Sequence, residues 1–310
     1  MKNKILWIST GGTFSCEETK KGLSPASDLK FMEKIKEDNG DLSEKADIDI
    51  LPLMNIDSTE TDIEKIKLIA SETDKEINNY DGIIITHGTD TMAYTSALLS
   101  VMLENPQIPI IMTGSQKPYF SEDTDARDNF RNSVLAACEK ELKCVCVIFD
   151  KEIFDGLDCY KSSSTDFSAF SAYDRKTGMI ENGKVIISDH SRTSKGKYKF
   201  CPDICEKVAL IKLSPNFDEN IIDCYIKNGI KGFVIEGYGT GGIPRRVLEK
   251  LSKANKNNIS SLLITQCKSG GTDLNIYEVG NNALISGIAD GKKLGAEGAL
   301  AVMMKKLGYS

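Results

Sequence analysis

Apolar residues along the chain gather in short continuous runs rather than in alternating ones. Such runs occupy residues 5–10, 48–53, 82–86, 109–113 and 144–149, and again 208–213, 232–236 and 262–266. A continuous apolar run of strand length marks a strand covered on both faces. Between the runs the period changes. Ile63, Ile66, Ile69 and Ile77 recur at close to helical spacing along residues 62–79, and residues 91–103 and 129–142 repeat the pattern. Strands and helices in alternation predict a mainly parallel sheet with helices packed on it, a doubly wound α/β arrangement.

The pattern is interrupted once. Residues 188–205 are polar, and the stretch 191–199 is rich in Ser, Gly, Lys and Arg. So short a basic run reads as a linker or exposed loop rather than as a nucleic-acid or lipid contact. With 310 residues, too many for one ordinary core, the chain divides into a larger N-terminal domain over 1–188, a linker over 189–206 and a smaller C-terminal α/β domain over 207–310.

Charge and cysteine content narrow the function classes. The net charge is −6 with no Lys/Arg block, so no nucleic-acid partner is expected. No apolar stretch reaches the roughly 18 residues of a membrane helix, and the run Ile5–Ile8 is too short for a signal-peptide core. Nine scattered cysteines, an odd count, read as reduced thiols in a cytoplasmic protein. Cys144 and Cys146 alternate within one strand, so their thiols point to the same face. With two histidines and no zinc-site spacing, no metal site is expected.

Hydroxyl-rich loops follow the first four runs. They hold Ser9, Thr10 and Thr13; Asp57, Ser58 and Thr59; Thr86, Thr89 and Thr91; and Thr113, Ser115 and Gln116. In an open α/β sheet ligands bind beyond the carboxyl ends of the strands, so these loops should converge on one rim. Gly11-Gly12 lacks dinucleotide-loop spacing, and no Gly-Lys-Ser/Thr occurs, which disfavours phosphate binding. Other readings stand beside the chemical one. Thr89 and Asp90 suit the cap of the next helix. Asp57-Ser58-Thr59 suits a plain turn. His87 reads as a packed residue rather than a base.

Together these residues resemble bacterial type I, cytoplasmic, L-asparaginases. Thr10-Gly11-Gly12-Thr13 resembles the first signature of that family, and residues 81–95, centred on His87-Gly88-Thr89-Asp90, resemble the second. Residues 53–59 and Ile264-Thr265-Gln266-Cys267 also look like type I segments, and the likeness runs from about Lys4 to Leu307. The resemblance implies hydrolysis of L-asparagine by a homodimer or a dimer of dimers, without cofactor or metal. It makes Thr13 the nucleophile and joins Thr89, Asp90 and Lys161 into a second hydroxyl–amine–carboxylate set. From the residues alone, Lys161 reads as a surface lysine. Asp57, Ser58, Thr59 and Asp90 would hold the substrate's α-groups, and backbone N–H groups of Gly12, Thr13, Gly88 and Thr89 would face the oxyanion. The chemistry is consistent: a threonine hydroxyl needs a base, a lysine serves as one when burial lowers its pKa, and one oxyanion donor is worth ~3–4 kcal/mol of barrier.

Two departures stand out. Leu23 occupies the place of a lid tyrosine that many asparaginases carry in the stretch matching residues 17–25. Tyr277 is the candidate substitute, with a packed core tyrosine as the competing reading. Glu236 stands where some relatives grip an effector carboxylate with arginine, so allosteric activation by asparagine is expected to be weak or absent. Two other functions remain. The amidase component of an archaeal-type tRNA-dependent amidotransferase shares the signatures but usually has an extra N-terminal domain, for which a first signature at residue 10 leaves no room. A non-catalytic amino-acid sensor would bind asparagine without releasing ammonia.

Overall fold

A computed structural model describes residues 2–19, 22–25, 28–174, 176–188, 194 and 196–309. The chain forms two compact units, Met1–Pro202 and Asp203–Ser310.

The first unit is built on an eight-stranded sheet. From edge to edge its strands are Lys184–Ile187, Lys176–Glu181, Glu152–Asp155, Val145–Phe149, Ile110–Thr113, Gly82–Thr86, Asn3–Gly11 and Ala46–Ile56. The last five of these run parallel, which makes the sheet mainly parallel as expected. The first three add antiparallel pairings. Gly82–Thr86, Ile110–Thr113 and Val145–Phe149 are buried at every position, which is why their sequences are apolar without alternation.

Both faces of the sheet are covered. On one, Ile5, Trp7, Ile84, Ile111, Cys146 and Ile148 share a core with Phe31 of helix Leu29–Asp38 and Phe130 of helix Ala126–Ala137. Cys144 and Cys146 lie in this core with their sulfurs 2.9 Å apart, on the same face as their alternation requires. Helix Met92–Met102 packs on strands Ile110–Thr113 and Val145–Phe149, with helix Ile63–Glu76 beside it, and contributes nothing to that core.

Part of the expected lid and linker lies outside the described residues. Strands Cys16–Thr19 and Gly22–Pro25 pair antiparallel, with Leu23 opposite Glu18 along the backbone; the side chains of 18–27 are not described. Residues 189–193 and 195 are likewise outside. Of the rest of that segment, Lys199–Phe200 pairs with Leu103–Glu104, and the Cys201 N–H donates to the Met102 carbonyl at 2.7 Å.

The second unit has a four-stranded parallel sheet in chain order, Val208–Lys212, Gly232–Gly237, Ser260–Thr265 and Ala289–Asp290. Helices Asn220–Lys227 and Arg245–Lys256 cover one face through Ile222, Val247 and Leu251. Helix Ala296–Gly308 covers the other through Ala296, Ala299 and Met303.

Candidate active site

Across the five parallel strands of the first unit, the chain order is second, first, third, fourth, fifth. The winding therefore reverses between Asn3–Gly11 and Gly82–Thr86. The chain leaving these two strands continues to helices on opposite faces of the sheet, Leu29–Asp38 and Met92–Met102, the arrangement in which open α/β sheets bind ligands beyond the carboxyl ends. The Gly12-Thr13 turn leaves one of the two strands, and Gly88-Thr89 leaves the other.

Two glycines let the loops close on each other. Gly12 has φ of 77°, and a Cβ there would stand 2.5 Å from both Cα and N of Gly88. A Cβ on Gly88 would stand 2.6 Å from Cβ and Oγ of Ser58. A side chain at either position would wedge the loops apart. Hydrogen bonds then fasten them. The Gly12 N–H donates to the Ile56 carbonyl at 2.9 Å, and Thr91 Oγ1 donates to the Ser58 carbonyl at 2.8 Å.

Thr13 opens a short 3-10 helix, Thr13–Ser15. The next side chain, Phe14, is fully buried, with ring centroids 5.6 Å from Tyr119 and 6.0 Å from Phe130. Trp7 Nε1 donates to Thr86 Oγ1 at 3.0 Å, and Thr10 Oγ1 donates to the Thr86 carbonyl at 2.9 Å. The turn is thus pinned from below, while Thr13 itself is half-buried at the rim.

Thr89, Asp90 and Lys161 meet. Lys161 Nζ lies 2.7 Å from Thr89 Oγ1 and 2.7 Å from Asp90 Oδ1. The Lys161 side chain is 17% exposed and that of Asp90 57%. The surface-lysine reading of the residues alone is therefore incorrect. Lys161 ends the short strand Cys159–Lys161, which pairs with Phe170–Ala172. Buried Cys159 and Phe170 anchor that pair, the latter with its ring 4.9 Å from that of Phe149.

The second loop folds on itself. Asp57 Oδ1 accepts from both N–H and Oγ1 of Thr59 at 2.8 Å, and these bonds hold its carboxyl below the usual range. Ser58 is buried, with Oγ against Gly88. His87 is buried too. Its Nδ1 lies 2.8 Å from the Gly88 carbonyl, which can only accept, so Nδ1 carries the proton and Nε2 accepts from Thr95 Oγ1 at 3.3 Å. Burial pushes its pKa down and keeps the ring neutral. Both ring nitrogens are engaged, in keeping with a packed residue.

The expected set of oxyanion donors is smaller by one. The Gly12 N–H is taken by Ile56, so it does not face an oxyanion. The N–H groups of Thr13, Gly88 and Thr89 donate to no group among the described residues. Gln116 was named only as part of the fourth hydroxyl-rich loop and given no role of its own, yet its Oε1 lies 3.4 Å from Thr89 Oγ1. Its signal was its place in the fourth hydroxyl-rich loop.

In the second unit, Tyr277 precedes helix Glu278–Ile285 and is 64% exposed, which excludes a packed core tyrosine. Glu236, in strand Gly232–Gly237, is buried.

Two family models match the chain: "Asparaginase, N-terminal" over residues 4–192 and "Glutaminase/Asparaginase C-terminal domain" over residues 207–310. An L-asparaginase of Thermococcus kodakarensis is 32% identical over 314 residues, covering 99% of this chain and 93% of the relative. A component of the glutamyl-tRNA(Gln) amidotransferase of Methanobrevibacter smithii is 31% identical, covering 100% of this chain and 73% of the relative. L-asparaginase 1 of Escherichia coli is 27% identical, covering 97% and 90%. The solved thermostable L-asparaginase from Thermococcus kodakarensis superposes with a TM-score of 0.91 at 31% identity, covering 99% of this chain and 93% of that one.

Proposed function

The chain belongs to the asparaginase family, and from that premise we propose that it is an amide hydrolase converting L-asparagine to L-aspartate and ammonia, with Thr13 as nucleophile. The observation that carries the reading is the contact of Lys161 with both Thr89 and Asp90 in the loop that packs on the Gly12-Thr13 turn.

Thr13 Oγ1 bonds to the side-chain amide carbon while its proton passes by way of the Tyr277 phenol toward the departing amide nitrogen, and the carbonyl electron pair moves onto oxygen. Backbone N–H groups of Thr13, Gly88 and Thr89 are the donors for that oxyanion, each worth ~3–4 kcal/mol of barrier when well aimed. Collapse expels the amide nitrogen, protonated, as ammonia and leaves a β-aspartyl ester on Thr13. Water then cleaves the ester and Thr13 regains its proton. Thr89, Asp90 and Lys161 move protons in these steps. Lys161, when deprotonated, accepts from Thr89, and Asp90 orients the amine. Ser58, helped by Thr59, holds the α-carboxylate end, Asp57 seats Thr59 by accepting from its N–H and Oγ1, and the outer oxygen of Asp90 takes the α-ammonium group. Tyr277 is the phenol that stands in for the one absent at Leu23.

The likeness to the amidotransferase component at 31% identity favours a second reading, an amidase that also accepts glutamine. One methylene separates the two substrates and is worth only ~1–3 kcal/mol of discrimination. The protein is further read as a cytoplasmic homodimer or dimer of dimers. Among the described residues, no helix is long and apolar enough to cross a membrane.

The test is ammonia release by the purified protein from asparagine and from glutamine. Faster release from asparagine supports the proposal, and faster release from glutamine moves it to the second reading. Asparagine binding without ammonia from either substrate would make the protein a sensor and defeat both.

A further inference from the structure

Lys161 is held on slight secondary structure. Its strand, Cys159–Lys161, and the partner Phe170–Ala172 are three residues each, and a lone two-stranded pair is marginal without outside support. Residues 162–169 form the loop between the two strands. Within it Ser163 Oγ accepts from the Asp166 N–H at 3.0 Å, and the Ser162 N–H donates to the Ala169 carbonyl at 2.7 Å. These bonds shape the loop but do not fix it to the rest of the site.

The fixing comes from the fourth strand-end loop. Gln116 Nε2 donates to the Asp166 carbonyl at 3.2 Å, while its Oε1 faces Thr89 Oγ1 at 3.4 Å. The next residue, Lys117, places its ammonium 5.5 Å from the centre of the Phe167 ring, within cation–π range. Gln116 and Lys117 therefore grip two consecutive residues of the lysine loop, and Gln116 touches Thr89 at the same time.

The gripping pair is itself rigidly seated. Asp125, 7% exposed, accepts from the Gln116 N–H at 2.9 Å and from the Lys117 N–H at 3.1 Å. Fully buried Asn129 donates to Asp125 Oδ2 at 3.2 Å and to the Gly114 carbonyl at 3.0 Å. A buried carboxylate with three N–H donors gives the turn one conformation.

We propose that Gln116 and Lys117 are positioning residues that clasp the loop following Lys161 and thereby hold the Lys161 amine in register with Thr89. This rests on the asparaginase reading above. The clasp touches none of the groups assigned to the α-carboxylate end, so its loss acts on turnover rather than on substrate capture. A misplacement of about 1 Å in a catalytic group costs up to about 100-fold in rate.

The experiment compares wild type, Gln116→Ala, Lys117→Met and the double variant by steady-state kinetics with asparagine and by backbone hydrogen exchange without substrate. The expected result is a fall in kcat of about tenfold for Gln116→Ala, with KM changed less than about twofold. Lys117→Met should give a smaller fall in the same direction. The double variant should lose less than the product of the two, because both contacts hold one loop. Exchange in residues 162–169 should quicken in each variant while strand Gly82–Thr86 keeps its protection. Unchanged exchange in 162–169, or an effect confined to KM, overturns the clasp. If wild type releases no ammonia, the functional reading fails, and the exchange arm alone still decides whether the clasp exists.

Discussion

Each unit carries a parallel sheet with hydroxyl and acidic residues at its carboxyl ends, but the two sheets use them differently. In the second unit, strands follow one another in chain order and no reversal opens a crevice. Its polar side chains turn mainly onto backbone groups of neighbouring strand ends. Thr265 Oγ1 donates to the Gly239 carbonyl at 2.6 Å and accepts the Cys267 N–H at 3.0 Å. Gln266 Nε2 donates to the carbonyls of Leu213 and Glu236, and Thr272 Oγ1 bonds Asp290. In the first unit, the winding reverses, and side chains meet side chains: Lys161 reaches Thr89 across 72 residues of sequence and Asp90 across 71. Hydroxyls at strand ends therefore do not make a reactive site by themselves. A reversal that parts the loops, and an amine delivered from a distant segment, make the difference.

The sharpest way to break that contrast is to remove one polar group from each sheet. Lys161→Met should lower kcat for asparagine on the order of 10³-fold with the melting temperature little changed, whereas Thr265→Ala should leave kcat within about twofold. Equal losses in the two variants would erase the distinction. Next in size is Tyr277→Phe. Because Tyr277 is exposed, folding should be untouched, and kcat should fall on the order of 10²-fold. An unaltered kcat removes this tyrosine from the chemistry.

A third comparison uses two glycines at strand ends. Gly12 at φ 77° lies against Gly88, whereas Gly239 at φ 49° has no atom within 4 Å of a built Cβ. Gly239→Ala should cost about 1 kcal/mol in denaturant unfolding, the conformational term alone. Gly12→Ala should cost about 3 kcal/mol or more and depress activity, since the loops must separate. Similar costs would show that the first-unit loops are not in tight contact. The smallest effect concerns acid. Burial holds His87 below its ordinary value of 6.5, so the unfolded chain takes up a proton that the folded chain refuses. This contribution to stability is complete above about pH 6.5 and is lost as pH falls toward the folded-state value, with a slope of up to about 1.4 kcal/mol per pH unit. Urea midpoints between about pH 7.5 and 5.5 should fall more for wild type than for His87→Gln. Parallel declines would assign the acid sensitivity elsewhere.

Legibility in the sequence followed burial. Strands such as Gly82–Thr86, sealed on both faces, announced themselves as continuous apolar runs. The hairpin of Lys176–Glu181 and Lys184–Ile187 did not, because exposed positions interrupt its buried and half-buried ones. Yet its turn was written plainly: Asn182-Gly183, with φ of 51° and 70°, is the two-residue signal of a tight hairpin. The hydroxyl-rich loops gave the rim of the site, since the order of runs alone places them at strand ends. Lys161 was recoverable only through family likeness, because nothing near it in sequence marks a lysine that folds onto a distant Thr-Asp pair. Gln116 lay in a loop already singled out, but its contacts with Thr89 and Asp166 are tertiary and leave no local pattern.

The central claim is that Thr13, at the reversal of the first sheet, carries the aspartyl group during turnover. It is tested most directly by quenching the wild-type enzyme in acid during turnover of saturating asparagine and locating any covalent adduct by peptide mass spectrometry, with Thr13→Ala as the control. The expected result is a β-aspartyl ester on Thr13 that is absent from the control. An adduct on Thr89, or wild-type rates of ammonia release from a Thr13→Ala enzyme, would contradict it.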